Sequence, residues 1–110
     1  MGKLLNTNTQ ASARFDLGYL CNTPGAQAVL QRYQVTPFQL LSRHVRGDWG
    51  DICKEDARTN EEALREGARI FSAYVLPAPL SENETLAPVK VWLITEADRS
   101  VTTLLLPEEY

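Results

Sequence analysis

The sequence predicts an α+β domain, with three helices packed on an antiparallel sheet of three to four strands. The stretch 89–106 holds two runs rich in β-branched and apolar residues that flank the polar turn 96–100, which is the pattern of a β-hairpin. Upstream, threonine-proline pairs and apolar residues at helical spacing predict helices. We therefore expect a short N-terminal strand, then the helices, then a C-terminal β-meander with the hairpin at the centre of the sheet.

The composition indicates one ordinary globular domain. The 110 residues leave room for a single core, and 44% of them are hydrophobic against 23% charged. The net charge of −3 does not favour a nucleic-acid binder with a basic surface, although a local patch stays open. No apolar run has the length of a signal peptide or a membrane span, so we expect a cytoplasmic protein without a membrane partner.

The domain is predicted over residues 14–110, after a flexible tail over residues 1–13. Phe15, Leu17 and Tyr19 alternate along the chain and predict a short strand over 14–21. A glycine within this run weakens a strand least at the edge of a sheet, so the strand is expected there.

Two threonine-proline pairs predict where the first two helices begin. Thr23 and Thr36 can accept a backbone N–H as N-cap, and the prolines that follow suit the first helical position because they lack a donor. The second helix is predicted over 38–46 and the third over 54–66, where Gly67 ends it. The expected inward residues are Ala26, Val29, Leu30 and Tyr33 in the first helix, Phe38, Leu40, Leu41 and Val45 in the second, and Ala57, Asn60, Ala63 and Leu64 in the third.

Three further strands are predicted after the helices, at 68–76, 89–95 and 101–106. The first two are joined by residues 77–88, which contain three of the chain's prolines and cannot continue a strand. This segment is predicted to be a long exposed loop.

The strand at 89–95 carries apolar residues on both faces. Val91 and Leu93 fall on one face, while Trp92 and Ile94 fall on the other. Such a strand needs cover on both sides. We expect helices on one face, and a partner chain or the N-terminal segment on the other.

The two cysteines are expected to be free thiols in a reduced compartment. Cys21 and Cys53 have no second pair, and no histidine lies at zinc spacing from them. No local pattern predicts a nucleophilic cysteine, so both are expected to be core or half-buried residues.

The most distinctive polar segment, 42–51, follows the second helix and is expected to bend at its glycines. Trp49, which lies between two Gly-Asp pairs, is predicted to be a buried ring that pins the bend. Because this bend and the turn 96–100 both lie at the ends of elements, we expect them to meet and form a binding site. The expected binding residues are His44, Arg46, Asp48, Trp49, Asp51, Glu96, Asp98 and Arg99.

Three interpretations of these polar residues remain open. In the first they are structural, as caps and surface ion pairs. In the second the chain is a metal-independent ribonuclease of the small toxin type, in which His44 moves protons while Arg46 and Arg99 stabilise the phosphorane. The candidate catalytic residues are then His44, Glu96, Arg99 and Ser100. In the third the carboxylates bind a metal, but no recognised spacing supports this, and neither a metal nor a cofactor is expected.

Two long motifs stand out, residues 43–51 (RHVRGDWGD) and 94–110 (ITEADRSVTTLLLPEEY). They resemble a family of small uncharacterised bacterial proteins described as hypothetical or plasmid-related, and the resemblance extends over residues 15–110. It implies no established activity. The chain departs from the usual pattern of that family in its longer N-terminal tail and in the proline-rich loop 77–88.

We therefore expect a small cytoplasmic accessory or protein-interaction domain, linked to mobile elements or defence systems, rather than an enzyme. The expected partner is another protein. A second copy of the chain is also a candidate partner, through an exposed strand edge or an apolar sheet face.

Overall fold

A four-stranded sheet with three helices forms the fold in a computed structural model, which describes residues 13–77 and 87–110. The elements are β1 (Tyr19–Asn22), α1 (Pro24–Arg32), α2 (Pro37–Val45), α3 (Lys54–Glu66), β2 (Ile70–Leu76), β3 (Val89–Thr95), β4 (Val101–Leu105) and a 3₁₀ turn (Pro107–Glu109). The predicted α+β class is confirmed. Apart from residues 13, 77, 87 and 88, the predicted tail and proline-rich loop lie outside the described residues.

The sheet has the strand order β1-β4-β3-β2, so the predicted hairpin strands are central and β1 lies at an edge. β2, β3 and β4 form the predicted antiparallel meander. β1 runs parallel to β4, so the sheet is mixed, and the prediction of a purely antiparallel sheet is wrong at this strand.

The direction of β1 follows from the way the chain enters it. Gly18 has a φ of +68°, and a Cβ at this position would overlap the Ser100 carbonyl. The N–H of Tyr19 donates to the same carbonyl at 2.9 Å. β1 therefore starts beside the start of β4 and runs the same way. It begins later than the predicted residue 14, because residues 13–18 lead to this contact without joining the sheet.

One face of the sheet is covered by α1 and α2. Leu30 and Tyr33 of α1 and Leu40 and Leu41 of α2 are buried in one cluster with strand residues. The strand residues in that cluster are Tyr74, Leu76, Val91, Leu93 and Leu104. They alternate along their strands, as expected when a single face packs on helices.

The N-terminal caps of the first two helices are as predicted. Thr23 Oγ1 accepts from the N–H of Ala26 at 3.1 Å, with a proline at the first helical position. Thr36 and Gln39 form a reciprocal capping box, in which Gln39 Oε1 accepts from the Thr36 N–H at 2.7 Å. These short-range hydrogen bonds fix where both helices begin.

The inward face of α2 differs from the prediction. Phe38 is 74% exposed, whereas Leu40, Leu41 and His44 are buried. The predicted stripe counted Phe38 as inward because it is large and apolar, and omitted His44 because it is polar. Hydrogen bonds that satisfy the imidazole explain why the observed face is preferred.

The outer edge of β2 is covered by two different segments. The Asn60 side chain accepts from the Phe71 N–H at 3.0 Å and donates to the Phe71 carbonyl at 2.7 Å. The backbone of residues 49–51 then bonds both to the N–H and to the carbonyl of Ala73. This edge of the sheet is therefore closed to a further strand.

Gly50 allows the backbone of residues 49–51 to form its hydrogen bonds with Ala73. Its φ is +79°, and a Cβ at this position would overlap the Ala73 carbonyl and lie 2.6 Å from the Tyr74 ring. Only glycine allows the backbone to approach β2 this closely.

Both cysteines are exposed, so the expectation that they are core or half-buried residues is wrong. Cys53 is the N-cap of α3, where its sulfur accepts from the Asp56 N–H at 3.4 Å. Cys21 lies on the edge strand β1. None of the helices in the described ranges is long and apolar enough to cross a bilayer.

Replacement of Gly50 by alanine is expected to lower the free energy of unfolding by about 2–4 kcal/mol, because the strained φ is combined with loss of the hydrogen bonds to Ala73. Gly67→Ala is the matched control, since Gly67 has a φ of +72° with no atom near the added Cβ. It is expected to cost about 1 kcal/mol. Urea unfolding followed by circular dichroism measures both, and equal losses would contradict the close approach at Gly50.

Candidate functional site

His44 lies in the interior, at the centre of a chain of hydroxyl groups. Its exposed fraction is 0%. Nδ1 lies 2.5 Å from Ser72 Oγ on β2, and Nε2 lies 2.9 Å from Thr95 Oγ1 on β3. Thr95 Oγ1 in turn lies 2.7 Å from Thr102 Oγ1 on β4. Thr102 Oγ1 donates to the Leu17 carbonyl at 2.7 Å.

The hydrogen bond from Thr102 to the Leu17 carbonyl fixes the direction of the other hydrogen bonds in this series. Because Thr102 donates to a carbonyl, it accepts from Thr95, and Thr95 then accepts from the N–H at Nε2 of His44. Nδ1 of the neutral ring accepts from the Ser72 hydroxyl. His44 is therefore a neutral imidazole with its proton on Nε2.

Burial lowers the pKa of His44 from 6.5 to about 3, since the imidazolium would be taken out of water without a counter-charge. The ring is enclosed by aromatic side chains. The Phe15 ring centroid lies 5.1 Å and the Trp49 centroid 6.1 Å from that of the imidazole, both edge-on. A substrate could not reach the ring without unpacking this cluster.

Trp49 is buried and pins the bend, as predicted. Its indole N–H donates to Glu61 of α3 at 3.2 Å. Glu61 also accepts two hydrogen bonds from the Arg14 guanidinium, at 2.8 and 3.2 Å. The Arg14 backbone N–H donates to the carbonyl of Val45. Residues 13–18, the end of α2 and α3 are thus tied together around the indole.

Asp48 has a structural role in the bend. Its carboxylate accepts two hydrogen bonds from Arg43, at 2.7 and 3.3 Å, and its backbone carbonyl accepts from the Tyr74 hydroxyl at 2.6 Å. The Arg43 guanidinium holds the pKa of Asp48 below its ordinary value and also lies 4.5 Å from the centre of the Tyr74 ring.

Arg99 is occupied by backbone carbonyls. Its guanidinium donates to the carbonyl of Ala63 in α3 at 3.1 Å and to that of Ala68 at 2.7 Å, besides two carbonyls in its own turn. It lies 5.8 Å from the centre of the Phe15 ring. These bonds hold a non-glycine residue at a φ of +60°, and they satisfy the carbonyl end of α3.

The remaining predicted residues are exposed or half-buried, and most are engaged locally. Glu96 accepts from Arg69, Asp51 pairs with Lys90 at 3.3 Å, and Asp98 accepts from the Ser100 N–H at 3.0 Å. Arg46 is the exposed C-cap of α2. Such exposed pairs contribute little to the free energy of unfolding.

The bend and the turn are linked through Phe15, whose ring centroid lies 6.2 Å from that of Trp49 in the bend and 5.8 Å from the guanidinium of Arg99 in the turn. The Phe15 ring lies between the two elements' side chains, with its centroid also 5.1 Å from that of His44. Among the described residues no buried side-chain polar atom lacks a hydrogen-bond partner, and no three His, Cys, Asp or Glu side chains are placed to hold a metal. The predicted catalytic residues differ in their access to solvent: His44 is fully buried, Glu96 and Arg99 are half-buried, and Ser100 is exposed.

Sequence reasoning missed Ser72 and Thr95 as partners of His44. Both occupy inward positions on strands whose other inward residues are apolar. Hydroxyl residues at such positions are a signal that a polar side chain is buried opposite them.

The second face of the sheet offers a different candidate site, which we call the open face. No described helix packs on it. Phe71 and Trp92 are half-buried there with ring centroids 5.0 Å apart, and Tyr110 lies 5.7 Å from Trp92 with its hydroxyl bonded to Arg69. The strand residues of the open face are Tyr19, Cys21, Phe71, Ala73, Val75, Lys90, Trp92, Ile94, Val101, Thr103 and Leu105.

The buried His44 predicts a dependence of stability on pH. The unfolded chain binds a proton as the pH falls below 6.5, whereas the folded chain does so only near 3, so stability is lost as the pH falls between these values. Between about pH 6.5 and pH 5 the loss is expected to be about 1.5 kcal/mol.

Urea unfolding of His44→Gln at both pH values tests this. The variant is expected to be about 2–4 kcal/mol less stable near neutral pH, since buried hydroxyls lose their partner. Its free energy of unfolding is expected to show no further loss between the two pH values. Gly67→Ala, which is destabilised elsewhere, is expected to keep the loss. The same loss in His44→Gln would show that another group binds the proton.

No protein-family model, curated protein or solved structure matches the chain. The resemblance carried by residues 43–51 and 94–110 stays a prediction.

Proposed function

We propose that the chain is a protein-interaction domain whose open face binds an amphipathic helical segment of another protein. One observation carries this proposal. The helices cover one face of the sheet, while on the other face Phe71 and Trp92 are half-buried and Val75 and Tyr110 are exposed; Ala73, Ile94 and Leu105 of this face are buried. Partly exposed aromatic surfaces of this kind are typical of interaction sites.

The charges around the open face favour an apolar partner. Lys90 is paired with Asp51, and Arg69 is paired with Glu96, so the cations at its margins are already neutralised. A phosphate backbone needs unpaired lysine or arginine side chains. Nucleic acid is therefore not the partner that this surface favours.

The size of the face favours a helix over a globular surface. Four strands about 4.8 Å apart, with seven residues in β2 at about 3.3 Å each, give a face of roughly 20 Å by 20 Å. A standard interface buries about 800 Å² per partner, about twice this area. A helix of about 14 residues is about 20 Å long and about 10 Å wide, which fits along the face.

The remaining expectations belong to the same proposal. A cytoplasmic location is supported by Cys21 and Cys53, two exposed thiols without a disulfide, as is usual in a reducing compartment. The link to mobile elements or defence systems rests on the motif resemblance alone. A ribonuclease activity is not proposed, because His44 and Arg99 are both engaged within the fold.

Selection of helical peptides from a phage-displayed library of random 15-residue sequences tests the proposal. Peptides that bind are expected to repeat apolar residues at helical spacing. Val75→Glu, on the open face at 44% exposure, is expected to weaken their binding by at least about tenfold, because a charge is desolvated at the contact.

Phe38→Glu is the matched control. It makes the same chemical change at an exposed residue of the helical layer and is expected to leave peptide binding unchanged. Failure to enrich any peptide, or equal weakening by both variants, would contradict the proposal.

A further inference from the structure

The edge of the sheet at β1 is open, in contrast to the covered edge at β2. Tyr19 donates its N–H to Ser100 at 2.9 Å, and Thr23 donates its N–H to Leu104 at 3.0 Å. Backbone groups alternate in direction along a strand, so the N–H and carbonyl groups of Leu20 and Asn22 point away from β4. Within the described ranges no strand pairs with this side of β1.

Apart from its short length of four residues, β1 lacks the features that usually protect an edge. Its sequence, Tyr-Leu-Cys-Asn, contains no charge and no proline, and all four residues are exposed. Tyr19 is 83% exposed and Leu20 is 49% exposed. An uncharged edge with large apolar side chains favours pairing with another strand.

A groove begins beside this edge, on the helical side of the sheet. It has a volume of about 450 Å³ and extends from Asn22 along α1 to Pro37. Leu30 and Val35 contribute apolar surface to it, and glutamines of α1 form part of its wall. Leu20 and Asn22 face this side of the sheet, because they pair with Thr102 and Leu104, whose side chains are buried there.

We propose that β1 pairs antiparallel with β1 of a second copy of this chain, about a two-fold axis at Cys21. Leu20 then lies opposite the partner's Asn22, and each such pair exchanges two backbone hydrogen bonds. The partner's Leu20 side chain stands beside Asn22, where it enters the groove. The two sheets join into one, and the two open faces become continuous.

The register follows from the outward-facing groups. Only Leu20 and Asn22 present their backbone groups outward, and pairing one with the other satisfies both residues on both chains. Pairing Leu20 with the partner's Leu20 would leave the groups of Asn22 unused. A two-fold axis is the commonest symmetry of homodimers, and it places no like charges opposite each other here.

The interface is small, so the dimer is expected to form transiently and with rising concentration. It is a separate contact from the binding of a helical segment by the open face. Loss of the dimer would leave each open face intact, and loss of peptide binding would leave the β1 edge intact.

Disulfide cross-linking tests the register. At the axis the two Cys21 residues form a pair without backbone hydrogen bonds, whose Cα atoms lie about 4.5 Å apart, within the range that a disulfide spans. Diamide oxidises two thiols to a disulfide and takes up the two electrons and two protons that they release. Cys53→Ser, which retains Cys21, is expected to form a covalent dimer at least about tenfold faster than Cys21→Ser, because pairing raises the effective thiol concentration.

Cys21→Ser retains the exposed Cys53, so its cross-linking measures chance collision. Leu20→Pro in the Cys53→Ser background removes the outward N–H without breaking a bond to β4, and is expected to reduce the rate to that of Cys21→Ser. Leu20→Lys, which places like charges across the axis, is expected to lower the cross-linking rate to the same level. It replaces the proline variant in the test if that variant does not fold. Equal rates for the two cysteine variants, or an unchanged rate with Leu20→Lys, would overturn the proposal.

Discussion

The hydrogen-bond chain through His44 is the interaction on which the rest of the structure depends. It joins α2 to β2 through Ser72, to β3 through Thr95, and to β4 through Thr102. Its last member bonds to Leu17, in the segment that leads into β1. One series of hydrogen bonds thus links α2 to three strands, with His44 bonded directly to two of them. Each buried hydroxyl in it would cost free energy if its partner were lost.

The surroundings of His44 depend on the same arrangement. Phe15 can pack on the imidazole only because residues 13–18 cross the end of the helical layer, and Trp49 packs there because the bend lies on β2. Gly50 allows the bend to reach that edge of the sheet. The residues of motif 43–51, which suggested catalysis in the sequence, therefore pack on the helical face of the sheet and on the outer edge of β2. Within the described residues, the opposite face and the β1 edge are the surfaces on which we propose that partners bind.

Local signals predicted much of the fold. Thr23 and Thr36 are N-caps as expected, Gly67 ends α3, and the bounds of α3 and β3 agree with the prediction because the deciding interactions lie within a few residues. The direction of β1 was not predictable in this way. It depends on a contact between Gly18 and Ser100, which are far apart in the sequence.

The candidate site was predicted in part. The predicted burial of Trp49 is confirmed, whereas the bend and the hairpin turn are linked only through Phe15. His44 was predicted as a binding or catalytic residue or a helix cap, and not as a core residue, because hydropathy alone does not show that buried hydroxyl groups can bond to a polar side chain. Hydropathy likewise assigned Phe38 to the core. Burial of a polar residue is decided by its partners, which for His44 come from two separate strands.

The protonation state of His44 tests this account most directly. The chain has one histidine, so the imidazole signals in a two-bond proton–nitrogen correlation spectrum of ¹⁵N-labelled protein need no assignment by mutation. A neutral ring protonated at Nε2 is expected from about pH 7 to about pH 5, without titration. A ring that becomes positively charged with a midpoint near the ordinary pKa of 6.5, or one protonated at Nδ1, would contradict the account.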